Sequence, residues 1–241
     1  LHLSLRRQRQ MCIRDSQKGE SMSGHISDQI VVYKNDKVLV ELRDKLKVAS
    51  VANYAHIHAT GEQTGNGTKR TSLIGILMKD YSKGTKDQAV TVTANVSPEE
   101  IRFLFSRLNA GFPAVDFKQE KIFGDPDNTG HSQVTKLRII RAEKDSRGNQ
   151  RNNPWYIEIE NGKGIAVKNS KGGTYMKSNS FSGNGKASAN LNDLEMFRLL
   201  CKTVSYIDAW EKAIGPSLII QAKNIIKKNQ EDAQRHNTSA A

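Results

Sequence analysis

The chain contains an internal repeat with a constant offset of 95 residues, in which Thr93–Leu104 aligns without gaps on Ser188–Leu199. In each copy a short polar residue, Ser97 or Asn192, precedes a helical pattern, and a glutamate stands three residues later. This spacing is typical of a capping box, in which the two side chains satisfy free N–H groups of the first helical turn. Any strand-to-helix junction can show a similar pattern, but we favour a duplication. We therefore expect two similar units, each ending in a capped helix.

Strand patterns precede the helix in each copy, as alternating or apolar segments separated by turn residues. The predicted strands are Tyr54–Thr60, Thr71–Lys79 and Ala89–Ala94 in the first half, and Val134–Ala142, Trp155–Glu160, Ile165–Asn169, Thr174–Ser180 and Gly185–Asn190 in the second. A tight hairpin turn is predicted at Gly162-Lys163-Gly164. The helices are predicted over Pro98–Arg107 and Asp193–Ile214, and the second should end at Gly215-Pro216 because this pair favours a helix end.

This order of elements predicts an α+β fold with two β-meander-plus-helix repeats, in which helices back antiparallel sheets. We divide the chain into a first repeat over residues 54–124 and a second over residues 125–214. Residues 22–53 are predicted to form an N-terminal arm or further strands. Residues 215–230 are predicted as a C-terminal amphipathic helix, and residues 231–241 as a disordered tail.

The first 21 residues are interpreted as foreign to the protein. Back-translation of Arg6–Ser16 matches the transposase mosaic-end adapter of sequencing libraries, and codons for Lys18-Gly19-Glu20 can contain a ribosome-binding sequence ahead of Met22. We therefore predict Met22 as the native start in a bacterial source. The alternative is a basic arm that binds nucleic acid, or a cleaved targeting peptide. Without residues 1–21, 32 Lys and Arg stand against 23 Asp and Glu, which leaves a net charge of +9.

Composition narrows the classes of function. The formal net charge of +12 predicts attraction to polyanions. Nucleic acid fits better than a membrane surface, because no basic amphipathic helix carries bulky aromatics on its apolar face and no apolar run approaches the roughly 18 residues of a membrane span. Beyond the first 21 residues Cys201 is the sole cysteine, so we expect no intramolecular disulfide and no cysteine zinc cluster. A lone thiol fits the cytoplasm.

No catalytic constellation stands out, and we predict a non-enzymatic protein without a cofactor. The chain has neither P-loop glycine spacing nor a nucleophile-elbow serine. His56 and His58 lie two residues apart on a predicted strand, where both would face one side and could offer two metal ligands. Since the sequence places no third ligand beside them, histidines on a polar strand face explain the pattern more simply, and no metal is expected.

Basic and aromatic residues carry the functional prediction, because single strands bind to positive grooves with aromatic faces on which bases stack. The predicted nucleic-acid-binding residues are Lys79, Tyr81, Lys136, Arg138, Arg141, Arg147, Arg151, Trp155, Tyr156, Lys163, Lys168, Tyr175 and Lys177. For Trp155 the protein core and the ligand face are equally favoured. The strand face of Lys136 and Arg138 is either phosphate-facing or solvated, and a solvated face is the common case. An aromatic content of 6% argues against dense stacking.

The predicted architecture resembles the Whirly, PUR and PC4-like single-stranded nucleic-acid binding folds. The shared features are two β-meander-plus-helix units, a capped helix after each sheet and a basic sheet face. The resemblance covers about residues 54–214 and rests on topology. It implies a protein that binds single strands, DNA in preference to RNA, and that can form homo-oligomers. The segments Trp155–Glu160 and Gly162–Met176 are also similar in character to proteins of bacterial mobile elements or phages.

Two further hypotheses compete with single-strand binding. One is a structural, assembly or accessory interaction module of a phage or mobile element. The other is a metal-dependent enzyme that uses His56 and His58. The charge distribution separates the first two classes: convergence of cations on one sheet surface favours nucleic acid, whereas scatter over loops favours assembly.

Overall fold

The computed structural model describes residues 26–85, 88–170 and 172–239, the last four of these by their backbone alone. The segment 1–21 that we interpret as foreign lies outside these residues. Within the described ranges the chain forms antiparallel sheets, two α-helices and one short 3-10 helix. The α+β fold with antiparallel sheets and a long C-terminal helix is thereby confirmed.

The first half of the chain forms a four-stranded sheet with an inserted hairpin. Its elements in chain order are β1 (Gln29–Lys34), β2 (Val38–Lys45), the 3-10 helix (Val51–His56), β3 (Thr60–Gln63), β4 (Lys69–Thr71), β5 (Leu73–Asp80), β6 (Val90–Val96) and α1 (Pro98–Asn109). The strands β1, β2, β5 and β6 lie side by side in that order as an antiparallel sheet, which we call the first sheet. β3 and β4 form the hairpin inserted between β2 and β5. Residues 22–53 therefore supply two strands of this sheet.

The second half has the same plan. Its elements are β7 (Ala114–Phe123), β8 (Ser132–Ala142), β9 (Trp155–Gly164), β10 (Ala166–Lys168), β11 (Thr174–Met176), β12 (Ser182–Leu191) and α2 (Asp193–Ser239). The second sheet has the spatial order β12-β9-β8-β7 and is antiparallel, with the hairpin β10–β11 inserted between β9 and β12. Each half is therefore a four-stranded meander with an inserted hairpin, followed by a helix.

Both α-helices begin at the predicted caps. The Glu100 N–H donates to Ser97 Oγ at 3.2 Å, and the Ser97 N–H donates to the Glu100 carboxylate at 2.7 Å. Asn192 and Glu195 make the same reciprocal pair, at 2.9 and 3.0 Å. The two copies of the repeat thus end a strand and start a helix by the same device.

An apolar core lies where the inner faces of both sheets meet the helices. Its large buried side chains include Val40, Ile74 and Met78 of the first sheet, Trp155, Ile157 and Ile159 of the second, and Ile101, Leu104, Met196 and Ile207 of the helices. Because side chains alternate along a strand, the residues between these core positions point to the outer face of each sheet. The outer sheet faces hold the outward-pointing polar and charged side chains of the strands.

Helix α2 corrects the prediction for the C-terminus. It continues through Gly215 and Pro216, where we predicted a helix end followed by a separate helix. Leu218 and Ala222 are buried beyond the proline, so packing keeps the chain helical although proline removes one N–H donor. Residues 231–239 extend the same helix, so the predicted disorder is wrong for them, and residues 240–241 lie outside the described part. No helix in the described ranges has the length and apolarity needed to cross a membrane.

Three predictions about the strands also need correction. The predicted strand Tyr54–Thr60 is wrong, because the 3-10 helix occupies its first three residues and Ile57 then turns the chain with φ of 60°. The predicted turn at Gly162–Gly164 is wrong, because these residues pair inside β9 with both neighbouring strands. A Cβ on Gly162 would lie 2.3 Å from the Ser182 carbonyl oxygen, so this glycine serves close backbone approach. β7, absent from the predicted strands, pairs with β8, so the second unit starts near residue 114 and not at residue 125.

Candidate nucleic-acid interface

The outer face of the second sheet, which holds the predicted residues Lys136 and Arg138, carries balanced charge. Its cations are Lys118, Lys136, Arg138 and Lys186, and its anions are Asp116, Glu120, Glu158 and Glu160. Lys136 pairs with Glu120 at 3.7 Å, and Lys186 with Glu158 at 2.9 Å. Cross-strand pairs of opposite charge stabilise a sheet. This face is therefore a neutral ladder of ion pairs and not the basic surface that we predicted.

The outer face of the first sheet is the basic one. Strand alternation and register place four cations on it, namely Lys34, Arg43, Lys45 and Lys79. Among the outward residues of these four strands Glu41 is the single anion; it is 7% exposed and accepts from Arg43 Nε at 3.1 Å. The net positive charge of this face favours phosphate groups.

Aliphatic and hydroxyl side chains fill the space between the cations of the first sheet. In register, Lys34, Leu39, Lys79 and Thr91 form one row across the sheet, and Val32, Glu41, Leu77 and Thr93 form the next. Val32 is 40% exposed and the two leucines are partly exposed. The predicted residue Tyr81 lies at the end of the first row, where Lys34 Nζ is 6.0 Å from its ring centroid. This face therefore combines phosphate-binding charge with apolar surface for sugars and bases.

A cleft of about 620 Å³ opens beside the β6 edge of this face, between the two inserted hairpins. The first sheet contributes Leu73 and Asn95 to it, and the end of β7 contributes Ile122 and Phe123. The hairpins supply the remaining walls, with Lys69 and Thr71 from one side and Thr174, Tyr175 and Met176 from the other. The cleft thus joins both halves of the chain in one concave surface.

Lys121 is the partly buried cation that lines this cleft. Its Nζ donates to the Asn95 carbonyl oxygen at 2.8 Å. Burial lowers the pKa of Lys121, and the nearby Glu100 carboxylate opposes this shift. An ammonium carries three donors, so this one contact leaves donors for an anion.

Asn161 fixes the position of the two sheets beside the cleft. Its side-chain amide accepts from the Thr93 N–H and donates to the Thr93 carbonyl oxygen, both at 2.8 Å. These bonds satisfy backbone groups of β6, an edge strand of the first sheet. A second concavity of about 520 Å³ lies along the same junction and shares Phe123 and Thr135 with the cleft.

Two predicted site residues are internal and are unavailable to a ligand. Trp155 is fully buried, and its Nε1–H donates to Asp193 Oδ1 at 2.7 Å. Of the two positions predicted for it, the protein core is therefore correct and the ligand face is wrong. Arg141 is 8% exposed and forms ion pairs with Asp193 at 3.0 Å and Glu143 at 2.8 Å. These bonds raise the pKa of Arg141, Asp193 being the main cause. Both residues stabilise the start of α2.

The other predicted residues of the second half do not converge on one surface. Tyr156 lies on the balanced sheet face and donates to Glu158, and Lys163 pairs with Asp127 at 2.7 Å. Arg147 and Arg151 are exposed in the loop after β8. Lys168 ends β10, Lys177 directly follows β11, and Tyr175 is the predicted residue that lines the cleft.

His56 and His58 do not share a strand face, which corrects the premise of a metal site. His56 is exposed at the end of the 3-10 helix, and His58 is buried. The His58 ring accepts from or donates to Ser72 Oγ at 2.7 Å and Glu211 Oε1 at 2.8 Å, and it stacks on Trp210 with centroids 4.8 Å apart. Within the described residues no group of three His, Cys, Asp or Glu side chains is placed to hold a metal.

The Ser72–His58–Glu211 arrangement is a structural link. Ser72 is 3% exposed and already accepts from the Lys47 N–H at 3.0 Å. Its hydroxyl meets Nδ1 of His58, whereas in Ser-His-Asp hydrolases the nucleophile meets the other ring nitrogen. The network joins the base of the β3–β4 hairpin to α2 and, through a 2.8 Å bond between Glu211 and Arg102, to α1.

This link predicts a defined pH dependence. The pKa of Glu211 is lowered from its ordinary 4.5, mainly by Arg102 and also by His58. A carboxylate whose pKa is lower in the folded state than in the unfolded state stabilises the fold at pH values above the unfolded pKa. This stabilisation is lost as the pH falls through the folded-state pKa. Glu211→Gln should therefore reduce the free energy of urea unfolding at pH 7, and this loss should be smaller at pH 3. Asp208→Asn, at a more exposed partner of Arg102, should have a smaller effect at pH 7. An equal loss for Glu211→Gln at both pH values would contradict this role.

Comparisons of the chain with protein-family models, curated protein sequences and solved structures gave no match. The resemblance to Whirly, PUR and PC4-like folds therefore stays a prediction from topology.

Proposed function

We propose that the protein is a non-enzymatic single-stranded nucleic-acid binding protein, DNA being favoured over RNA, and that the outer face of the first sheet is its binding surface. The observation that carries this proposal is the concentration of unbalanced cations on one sheet face, while the other sheet face is neutral. A surface of this kind attracts a phosphate backbone and releases its counterions.

The apolar part of the same face favours single strands over duplexes. Val32, Leu39 and Leu77 lie between the lysines, and unpaired bases can place their faces against such side chains. Bases in a duplex are stacked and paired, so they cannot use this surface. The preference for DNA follows from the resemblance to the Whirly, PUR and PC4-like group, which the pair of meander-plus-helix units supports.

Filter binding of a dT oligomer, a matching RNA oligomer and a duplex over a range of salt tests this function. We expect the single-stranded DNA to bind most tightly. The logarithm of its affinity should fall linearly with the logarithm of the salt concentration, by about 0.7 per phosphate neutralised. Absent binding, or equal and salt-insensitive binding of all three oligomers, would overturn the proposal.

A protein-assembly role is the second candidate, and the helical surface favours it. Phe103, Leu194 and Phe197 of the helices, and Phe112 just after α1, are 40–55% exposed, and Arg107 stacks on the rings of Phe103 and Phe112. Exposed apolar side chains that form a patch mark protein-contact sites. This surface suits a homo-oligomer, or an accessory module of a bacterial phage or mobile element. Cys201, the one cysteine among the described residues, is a free thiol and fits the cytoplasm.

A further inference from the structure

We propose that the cleft between the two inserted hairpins binds one unstacked nucleotide of the strand, with its base against Phe123 and Tyr175 and its phosphate against Lys69 and Lys121. This inference rests on the proposed function and assigns the cleft as the place where a base leaves the stack. It names a site distinct from the sheet face that attracts the backbone.

The aromatic residues of the cleft are the first reason. Phe123 is 51% exposed at the end of β7, and Tyr175 is 53% exposed in β11. Both line the same cleft, together with the apolar side chains of Leu73, Ile122 and Met176. A volume of about 620 Å³ lies in the usual range of small-ligand pockets. Half-exposed rings in such a cleft offer the flat apolar surface that a nucleobase requires.

The charge of the cleft is the second reason. Lys69 and Lys121 line it. Glu120, the one acidic lining residue in the described part of the chain, is paired with Lys136 outside the cleft. Burial lowers the pKa of Lys121, which means that water solvates its ammonium poorly. A phosphate would supply the missing acceptors, so the cationic part of the cleft suits a nucleotide better than an uncharged ligand.

The walls of the cleft are packed in place without a ligand. A Cβ on Gly164 would lie 2.7 Å from the Met176 sulfur, so this glycine lets the β10–β11 hairpin pack directly on β9. The Asn161 amide and the Lys121–Asn95 bond hold the opposite wall to the second sheet. A preformed site loses little entropy on binding. Because Leu73 and Asn95 belong to both the first sheet and the cleft, a strand on the sheet face can reach the cleft without a break.

A dT oligomer and an abasic oligomer of the same length and charge test this assignment, since both carry the same phosphates. We expect the unmodified protein to bind the abasic oligomer at least about 5-fold more weakly at fixed salt, the lower limit for loss of one stacked base, since base contacts on the sheet face are lost as well. Phe123→Ala and Tyr175→Ala should shrink this difference, and Tyr175→Phe should keep it. Phe103→Ala is the matched control, because this ring is 44% exposed on α1, outside the cleft lining.

The possible results separate the two proposals. If the unmodified protein binds neither oligomer, both the function and the cleft assignment are overturned. If it binds both oligomers equally, or if the two cleft variants discriminate as well as Phe103→Ala does, the function stands and the cleft assignment fails. Thermal unfolding of each variant shows whether it is folded, and Tyr175→Phe gives a second reading should an alanine variant fail to fold.

Discussion

Trp155→Ala is expected to lower the free energy of unfolding by about 3–5 kcal/mol, the usual cost of deleting a large aromatic side chain from a core. Trp155 is fully buried, and its indole N–H donates to Asp193 at the start of α2. The substitution would leave a cavity where the second sheet meets the helices and would remove one of the bonds that orient Asp193. Urea unfolding followed by circular dichroism measures the loss.

Tyr156→Ala is the control for this prediction. Tyr156 follows Trp155 in β9, and its side chain points to the outer face of the second sheet, where it is partly exposed. We expect a much smaller loss of stability from it. Trp155→Phe should fold and bind DNA as the unchanged chain does, since no strand can reach a buried ring. A Trp155→Ala protein with unchanged stability and weakened DNA binding would contradict its place in the core.

The second large effect concerns the basic face of the first sheet. Replacing Lys34, Lys45 and Lys79 together by Gln should weaken binding of single-stranded DNA by about 100-fold at 0.1 M salt, if each lysine neutralises one phosphate. These lysines lie on the outer face, and no ion pair of theirs occurs within the described residues. Their replacement should therefore change stability little, which thermal unfolding can verify.

A matched triple variant of the second sheet controls for total charge. Replacing Lys118, Arg138 and Lys186 by Gln removes the same three charges from the formal net charge of +12. The long-range attraction of the whole protein for DNA falls equally in both variants. We expect the second-sheet variant to keep most of its affinity, since its cations face acidic neighbours.

Local sequence patterns predicted the parts of the fold that depend on neighbouring residues. Ser97 and Asn192 identified both helix starts, because a capping box is complete within four residues. Alternating residues likewise placed β6 within two residues of its observed limits, and the predicted strand Val134–Ala142 lies within β8. The predicted helix end at Gly215-Pro216 was wrong, because burial of residues further along α2 outweighs the local preference of this pair for a helix end.

The binding surface depends on register, which no local pattern contains. The sequence around Lys136 and Arg138 predicts a strand with a basic face, but β7 and β9 place acidic residues directly beside these two cations. The alternation of Leu39, Glu41, Arg43 and Lys45 with buried valines and leucine was a usable signal for the first sheet. Trp155 also shares its strand parity with Ile157 and Ile159, which favours the core. Phe123 and Tyr175 meet in the cleft only through the folding of the β10–β11 hairpin, so sequence spacing could not pair them.

The salt dependence of dT oligomer binding by the unchanged chain and the two triple variants tests the central claim most directly. The first-sheet variant should show a slope of log affinity against log salt that is shallower by about 2, because roughly 0.7 counterion is released per phosphate and three contacts are removed. The second-sheet variant should keep the slope of the unchanged chain. Equal slopes for the two variants, whatever their affinities, would contradict binding by the outer face of the first sheet.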